Sequence, residues 1–136
     1  VAGNKSEWAL ASGMKETQGS YDRVGSNTTL LYNAGDLPAD FKVYLRNLSS
    51  TRGVLSLSNT TGDQLIVNGI ELKQGDLGVC VNTKTNLIEG YNGNGLTGTL
   101  YNSYIIGGDF FKLPLGEHTL STFGTIEKIE YDYLYY

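Results

Sequence analysis

In DFKVYLRN, Asp40 to Asn47, the apolar residues Phe41, Val43 and Leu45 alternate with Lys42, Tyr44 and Arg46. A period of two places the first set on one face of a β-strand, toward a core, and the second on the other, toward water. GVLSLSN repeats the pattern, with Leu55 and Leu57 opposed to Ser56 and Ser58. DQLIVNG, Asp63 to Gly69, is a short apolar run ending in Asn68-Gly69, a dipeptide that tolerates positive φ at both centres of a tight hairpin turn. ELKQGDLGVCVN continues it, with Val79 and Val81 on one face, and NTKTNLIEGYNGNG reads as a turn, a return strand through Leu87 and Ile88, and a glycine-rich loop. LYNSYIIGGDFFKLP and EHTLSTF come next, parted by a turn at Leu115 and Gly116. The closing IEKIEYDYLYY sets Ile129, Tyr131, Tyr133 and Tyr135 against Glu130 and Asp132. About eight to ten short strands, with turn signals roughly every 8 to 12 residues, suggest an all-β sandwich or barrel, and the period-two alternation in successive segments points to an antiparallel two-layer β-sandwich. Its predicted core is Phe41, Val43, Leu45, Leu55, Leu57, Leu65, Val67, Val79, Val81, Leu120 and Ile129.

The start of the chain lacks this period. KSEWALASGMKE is compatible with a short helix capped by Ser6, but Gly13 and the following TQGSYDRVGSN end it. Residues 1–27 are expected to be an irregular lead-in or linker remnant with at most one strand, and residues 28–136 the sandwich domain.

Composition narrows the picture. A chain of 136 residues fits one domain, and at that size roughly two thirds of the unfolded surface is buried, enough for a core that needs neither metal nor disulfide. Cys80, between Val79 and Val81, is alone in the chain, so no intrachain disulfide forms and a buried, inert thiol is expected. The net charge is −4 and the ten Lys and Arg residues are scattered singly, which argues against nucleic acid and anionic membranes as partners. No apolar run approaches the roughly 20 residues of a membrane span. Val1 in place of an initiator methionine is expected of an excised domain or a processed product.

The only histidine, His118, stands beside Glu117 in DFFKLPLGEHTLSTFG. A turn accounts for every residue there: Pro114 fixes φ, Gly116 supplies positive φ, and Glu117 and His118 begin the next strand as alternating surface residues. A serine-type triad needs a nucleophile facing the histidine, and no G-x-S-x-G elbow occurs. Two converging carboxylates of a glycosidase could come from any of the fourteen acids, and no spacing singles out a pair. One His and one Cys do not build a zinc shell, and no D-x-D-x-D-G loop is present, so no metal or other cofactor is expected. YNGNGLTG, Tyr91 to Gly98, lacks the lysine and following helix of a phosphate-binding loop and is expected to be a mobile loop at the sandwich end. N-x-[ST] triplets begin at Asn4, Asn27, Asn47 and Asn59 and matter only where the source glycosylates.

Tyrosine remains. A phenol offers a flat apolar face and a polar edge, which suits a core, a protein interface or a platform for sugar rings. The first two uses are the commoner. If the third applies, contacts come from the glycine-rich loop and the aromatics near it, which makes Tyr91, Asn92, Asn94 and Tyr101 the candidate saccharide-binding residues.

The order of features also resembles a known family. Asn33, Gly35, Asp36 and Pro38 precede the first core strand, Asn68 and Gly69 lie mid-chain, and Phe111, Leu113, Pro114, Gly116, Glu117 and Leu120 come near the end, before a tyrosine-rich closing strand. In this order and spacing, from near Asn33 to Tyr136, the chain is similar to the C-terminal domain of the distal tail protein of siphovirus-type bacteriophages. The resemblance implies a galectin-like sandwich of jelly-roll type joined to an N-terminal domain that builds a homo-hexameric ring in the baseplate hub. It implies a non-enzymatic part of the virion at the tail tip, projecting to dock other tail proteins or to contact host cell-wall saccharide. No ring-forming domain is recognisable in this chain. The sugar-binding motif of true galectins is not evident either, since Trp8 lies in the lead-in and His118 in a turn. The alternatives are a free-standing carbohydrate-binding module of a cell-surface or secreted protein, or an accessory domain of a secreted glycosidase.

Overall fold

The computed structural model describes residues 14–17, 21–22, 26–58 and 63–135, with side chains over 26–58 and 63–131. Among the described residues twelve strands run in chain order: β1 Met14–Thr17, β2 Tyr21–Asp22, β3 Thr28–Asn33, β4 Phe41–Arg46, β5 Gly53–Leu57, β6 Gln64–Val67, β7 Gly78–Asn82, β8 Leu87–Asn92, β9 Gly95–Leu100, β10 Ile105–Gly108, β11 Gly116–Ser121 and β12 Thr125–Tyr135. A single turn of 3-10 helix, Asn102–Tyr104, joins β9 to β10.

The strands form two antiparallel sheets. One has the order β1-β12-β4-β7-β8-β9 with β2 also on β12, and the other the order β10-β6-β5-β11-β3. The alternation in β4 decides the packing: Phe41, Val43 and Leu45 are buried while Lys42, Tyr44 and Arg46 are partly exposed. Cross-strand register carries the same face along the sheet, with Val43 opposite Val81 on β7 and opposite Ile129 on β12. In the smaller sheet Leu55 faces Leu65 and Leu57 faces Leu120. All eleven residues predicted from the period lie in the core between the sheets, none more than 5% exposed. Leu31, Ile70, Ile88, Tyr101, Phe111, Leu113, Phe123, Ile126 and Tyr131 complete it. The chain is therefore an all-β, antiparallel two-layer sandwich. Cys80 is buried, and burial pushes its thiol up to about 11.

Several local expectations are corrected. Met14–Thr17 and Tyr21–Asp22 both pair with β12, so the lead-in contributes two strands to the larger sheet where at most one was expected. Most of the helical reading of the start falls on residues outside those described, and its last residues, Met14 to Glu16, are strand. Asn68-Gly69 closes no hairpin: β6 pairs with β5 and β10, and the chain then crosses to β7 in the other sheet. Gly69 serves close approach instead, since a Cβ there would fall 2.3 Å from the Ser50 carbonyl oxygen. YNGNGLTG is no mobile loop but the end of β8, a tight turn and most of β9, with Asn92 opposite Gly95. Gly95 has φ +112, the left-handed residue at the close of a short hairpin turn.

The Pro114 turn is as expected in its backbone, Gly116 having φ +91. His118 is not a surface residue. It is 7% exposed, with Nδ1 2.9 Å from the Ser58 carbonyl oxygen and Nε2 3.1 Å from that of Leu115. The alternation places Glu117, not His118, on the solvent side of β11. Asn33 is also structural: its Nδ2 donates to the carbonyls of Leu37 and Leu113, and its Oδ1 accepts the Gly35 N–H.

Candidate functional site

One end of the larger sheet brings several connections together. There β4 ends at Arg46, opposite Thr125 at the start of β12, and β7 begins at Gly78, opposite Tyr91 near the end of β8. The β8–β9 turn, the loop before β7, the β4–β5 connection and the β11–β12 turn therefore share this end.

The four candidate saccharide residues meet around the hairpin, but their roles divide. Tyr101 is fully buried; its hydroxyl donates to Asp76 Oδ2 and accepts the Lys73 N–H at 2.9 Å. Tyr91 is 8% exposed and packs edge-on against Tyr44, centroids 5.2 Å apart. Room for its ring comes from Gly78, whose Cβ would stand 2.7 Å from a Tyr91 ring carbon. Neither ring presents a face on which a sugar could stack, so that part of the expectation is withdrawn. Asn92 is committed to the turn: Nδ2 donates to the Gly75 carbonyl at 3.0 Å and Oδ1 accepts the Asn94 N–H at 2.8 Å. Only Asn94 remains as an exposed side chain with no partner among the described residues.

Asp76 organises this corner. Its Oδ1 accepts from Thr97 Oγ1 at 2.6 Å, opposite the Tyr101 contact. The hydrogen bonds from Thr97 and Tyr101 hold its carboxyl below the ordinary carboxylate range. Gly90 makes the arrangement possible, because a Cβ there would lie 2.2 Å from Asp76 Oδ2. Burial, then the hydrogen bond to Asp76, pushes the Tyr101 hydroxyl up. Burial likewise raises Tyr91, to about 12, and Tyr44 beyond it.

At the same end, between the β4–β5 connection and the β11–β12 turn, lies an open cleft of about 550 Å³. It is lined by Ser26, Asn27, Asn47, Ser49, residues 52–54 and residues 122–125. Backbone bonds fix its walls: Thr122 N–H to the Asn27 carbonyl, Ser49 N–H to that of Phe123, and Ile126 N–H to that of Ser26. Asn47 has φ +49, a left-handed conformation that asparagine tolerates. Phe123 belongs to the core, 5% exposed, and offers no stacking surface. Asn27, Asn47 and Arg52 are exposed, and their side chains make no hydrogen bond or ion pair among the described residues. Sequence reasoning met Asn27 and Asn47 only as N-x-[ST] triplets and passed over Arg52. Nothing local marks the cleft, because three distant segments form it.

His118 and Glu117 assemble no nucleophile, since both nitrogens of the ring face backbone carbonyls. No group of three or more His, Cys, Asp or Glu residues able to hold a metal ion occurs among the described residues. Among them, too, no helix is long and apolar enough to cross a membrane. A scan against protein-family models and a search of curated proteins return no match to the chain.

Proposed function

We propose that the chain is a non-enzymatic structural and adhesion domain of a phage or prophage tail tip, the outward sandwich of a distal tail protein. In that role it sits on the virion and docks other tail proteins or touches host cell-wall saccharide. The observation that carries the reading is the open polar cleft at one end of the sandwich, lined by amides, hydroxyls and a guanidinium without an acid among its lining residues. Glycoside hydrolysis and general acid–base work need a carboxylate or histidine at the substrate, whereas such a surface suits reversible recognition. The order of sequence landmarks from Asn33 to Tyr136 supports the tail-tip setting. A free-standing carbohydrate-binding module is the second reading. The cleft favours it, but the absence of an exposed aromatic face among the lining residues disfavours it.

A shallow polar site on one domain is expected to bind weakly, because little area offsets the entropy lost on association. A hexameric arrangement compensates by effective concentration. The test retains the chain, as a monomer and fused to a hexameric carrier, on a panel of bacterial envelopes. Retention of the hexamer with weak retention of the monomer supports adhesion. Failure of both on every envelope, with no tail protein captured, overturns the proposal.

A further inference from the structure

We infer that the cleft between the β4–β5 connection and the β11–β12 turn is a site for an anionic group, the phosphate or carboxylate of a charged glycan, with Arg52 as its anchor. The inference deepens the adhesion reading by naming the ligand chemistry. It rests first on charge. The chain holds fourteen acidic residues against ten basic ones, yet none of the eleven residues lining the cleft is acidic and one is an arginine. The carboxylate nearest in sequence to the lining residues, Glu127, is paired with Arg46 at 3.0 Å. Arg52 itself makes no ion pair among the described residues. A guanidinium presents five donors in a planar fork that matches two oxygens of a phosphate or carboxylate.

The second support is the inventory of free donors. The Thr122 hydroxyl is occupied by the carbonyls of Gly124 and Asn27, and the Ser49 hydroxyl by Thr51. The amides of Asn27 and Asn47 and the guanidinium of Arg52, all three exposed, make no hydrogen bond or ion pair among the described residues. Asn47 is carried on a left-handed backbone at the end of β4, a conformation that fixes the amide's starting point on the cleft wall. The third support is what the cleft lacks: with the Phe123 ring in the core, no aromatic face among its lining residues awaits a neutral sugar ring. Recognition there runs through charge and hydrogen bonds.

The test monitors backbone and arginine side-chain NMR resonances of the full chain during titration with glycerol 3-phosphate, glucuronate and neutral glucose. The two anions are expected to shift Arg52, Gly53 and residues 122–125 in a salt-sensitive way, and glucose to leave them unmoved. The relative response to phosphate and carboxylate says which source of negative charge the cleft prefers. Arg52→Gln is expected to weaken anion binding about tenfold or more, and Asn47→Gly, which keeps the backbone conformation, less. Unmoved cleft resonances, equal binding by Arg52→Gln, or an equal response to glucose overturns the inference. Envelope retention of the hexameric Arg52→Gln variant separates the two claims. If it is retained as well as the parent, adhesion stands and the cleft assignment falls; if the parent itself is not retained, the adhesion reading falls.

Discussion

The hydroxyl of Tyr131, on the long last strand of one sheet, donates to the carbonyl of Tyr32 at 3.0 Å and accepts the Tyr32 N–H at 3.4 Å on the edge strand of the other. One side chain thus answers both backbone groups of a residue whose strand has, among the described residues, β11 as its only sheet partner. An open strand edge is a template for unwanted pairing, and a hydroxyl that occupies it ties the two layers together as well. Tyr131→Phe keeps the buried ring and removes the bridge. It is expected to cost about 1–2 kcal/mol, read from denaturant unfolding, and to increase self-association at high concentration. An unchanged midpoint would contradict this role.

The Gly116 turn separates backbone strain from crowding. At φ +91 a Cβ at Gly116 meets no atom within 4 Å, so Gly116→Val carries a conformational cost alone, about 1–3 kcal/mol. At Gly78 the added Cβ would stand 2.1 Å from the Leu45 carbonyl oxygen and would also press on the Tyr91 ring. Gly78→Ala is therefore expected to cost more than Gly116→Val, about 3 kcal/mol or above. Thermal unfolding of both variants checks the order, and the reverse order would contradict the register of β4 on β7.

His118 stabilises the fold. Its ring joins the end of β5, through the Ser58 carbonyl, to the Pro114 turn, through that of Leu115. His118→Gln, expected to matter little for a surface residue, is now expected to destabilise by about 1–3 kcal/mol, because the part-buried carbonyl that takes the ring N–H loses its donor. The measurement is the unfolding midpoint beside that of Glu117→Gln, an exposed neighbour expected to change little. Equal midpoints would return His118 to the surface.

Stability is expected to fall at both ends of the pH scale for identifiable reasons. Asp76 titrates below its ordinary 3.8 in the fold, so its contribution is complete above about pH 4 and is lost as pH falls through the lower folded value. Tyr44, Tyr91 and Tyr101 are raised above 10, so theirs is complete below that pH and lost as pH rises through the folded values, about 12 for Tyr91. Asp76→Asn should flatten the acid limb and reduce only the Tyr101 part of the alkaline limb, leaving that of Tyr44 and Tyr91. Unfolding midpoints across pH decide it; an acid limb identical in both proteins would remove Asp76 from the account.

The β4 strand explains why the core was legible. Where one face is buried and one wet, the sequence period and the sheet pleat coincide, so Phe41, Val43 and Leu45 announce their direction locally. The Pro114 turn was legible for the same reason, being written in four neighbouring residues. Asn68-Gly69 misled because the path of the chain beyond Gly69 is set by long-range pairing, which carries it to the other sheet. Tyr91 misled because an outward position on β8 is covered when Gly78 leaves space for the ring and Tyr44 lies beside it. Tyr101 misled because the carboxylate that satisfies its hydroxyl comes from a loop 25 residues earlier. The cleft had no local signature, its donors Asn27, Asn47 and Arg52 being joined by strand pairing rather than by a motif.

The central claim is that this sandwich is carried at the end of a phage or prophage tail. Immunogold electron microscopy of tailed particles induced from the source of the gene, with antibodies to this chain, tests it most directly. The account predicts gold at the tail tip, distal to the head, on particles with intact tails. Particles without label, or label confined to heads or to free protein, would contradict it.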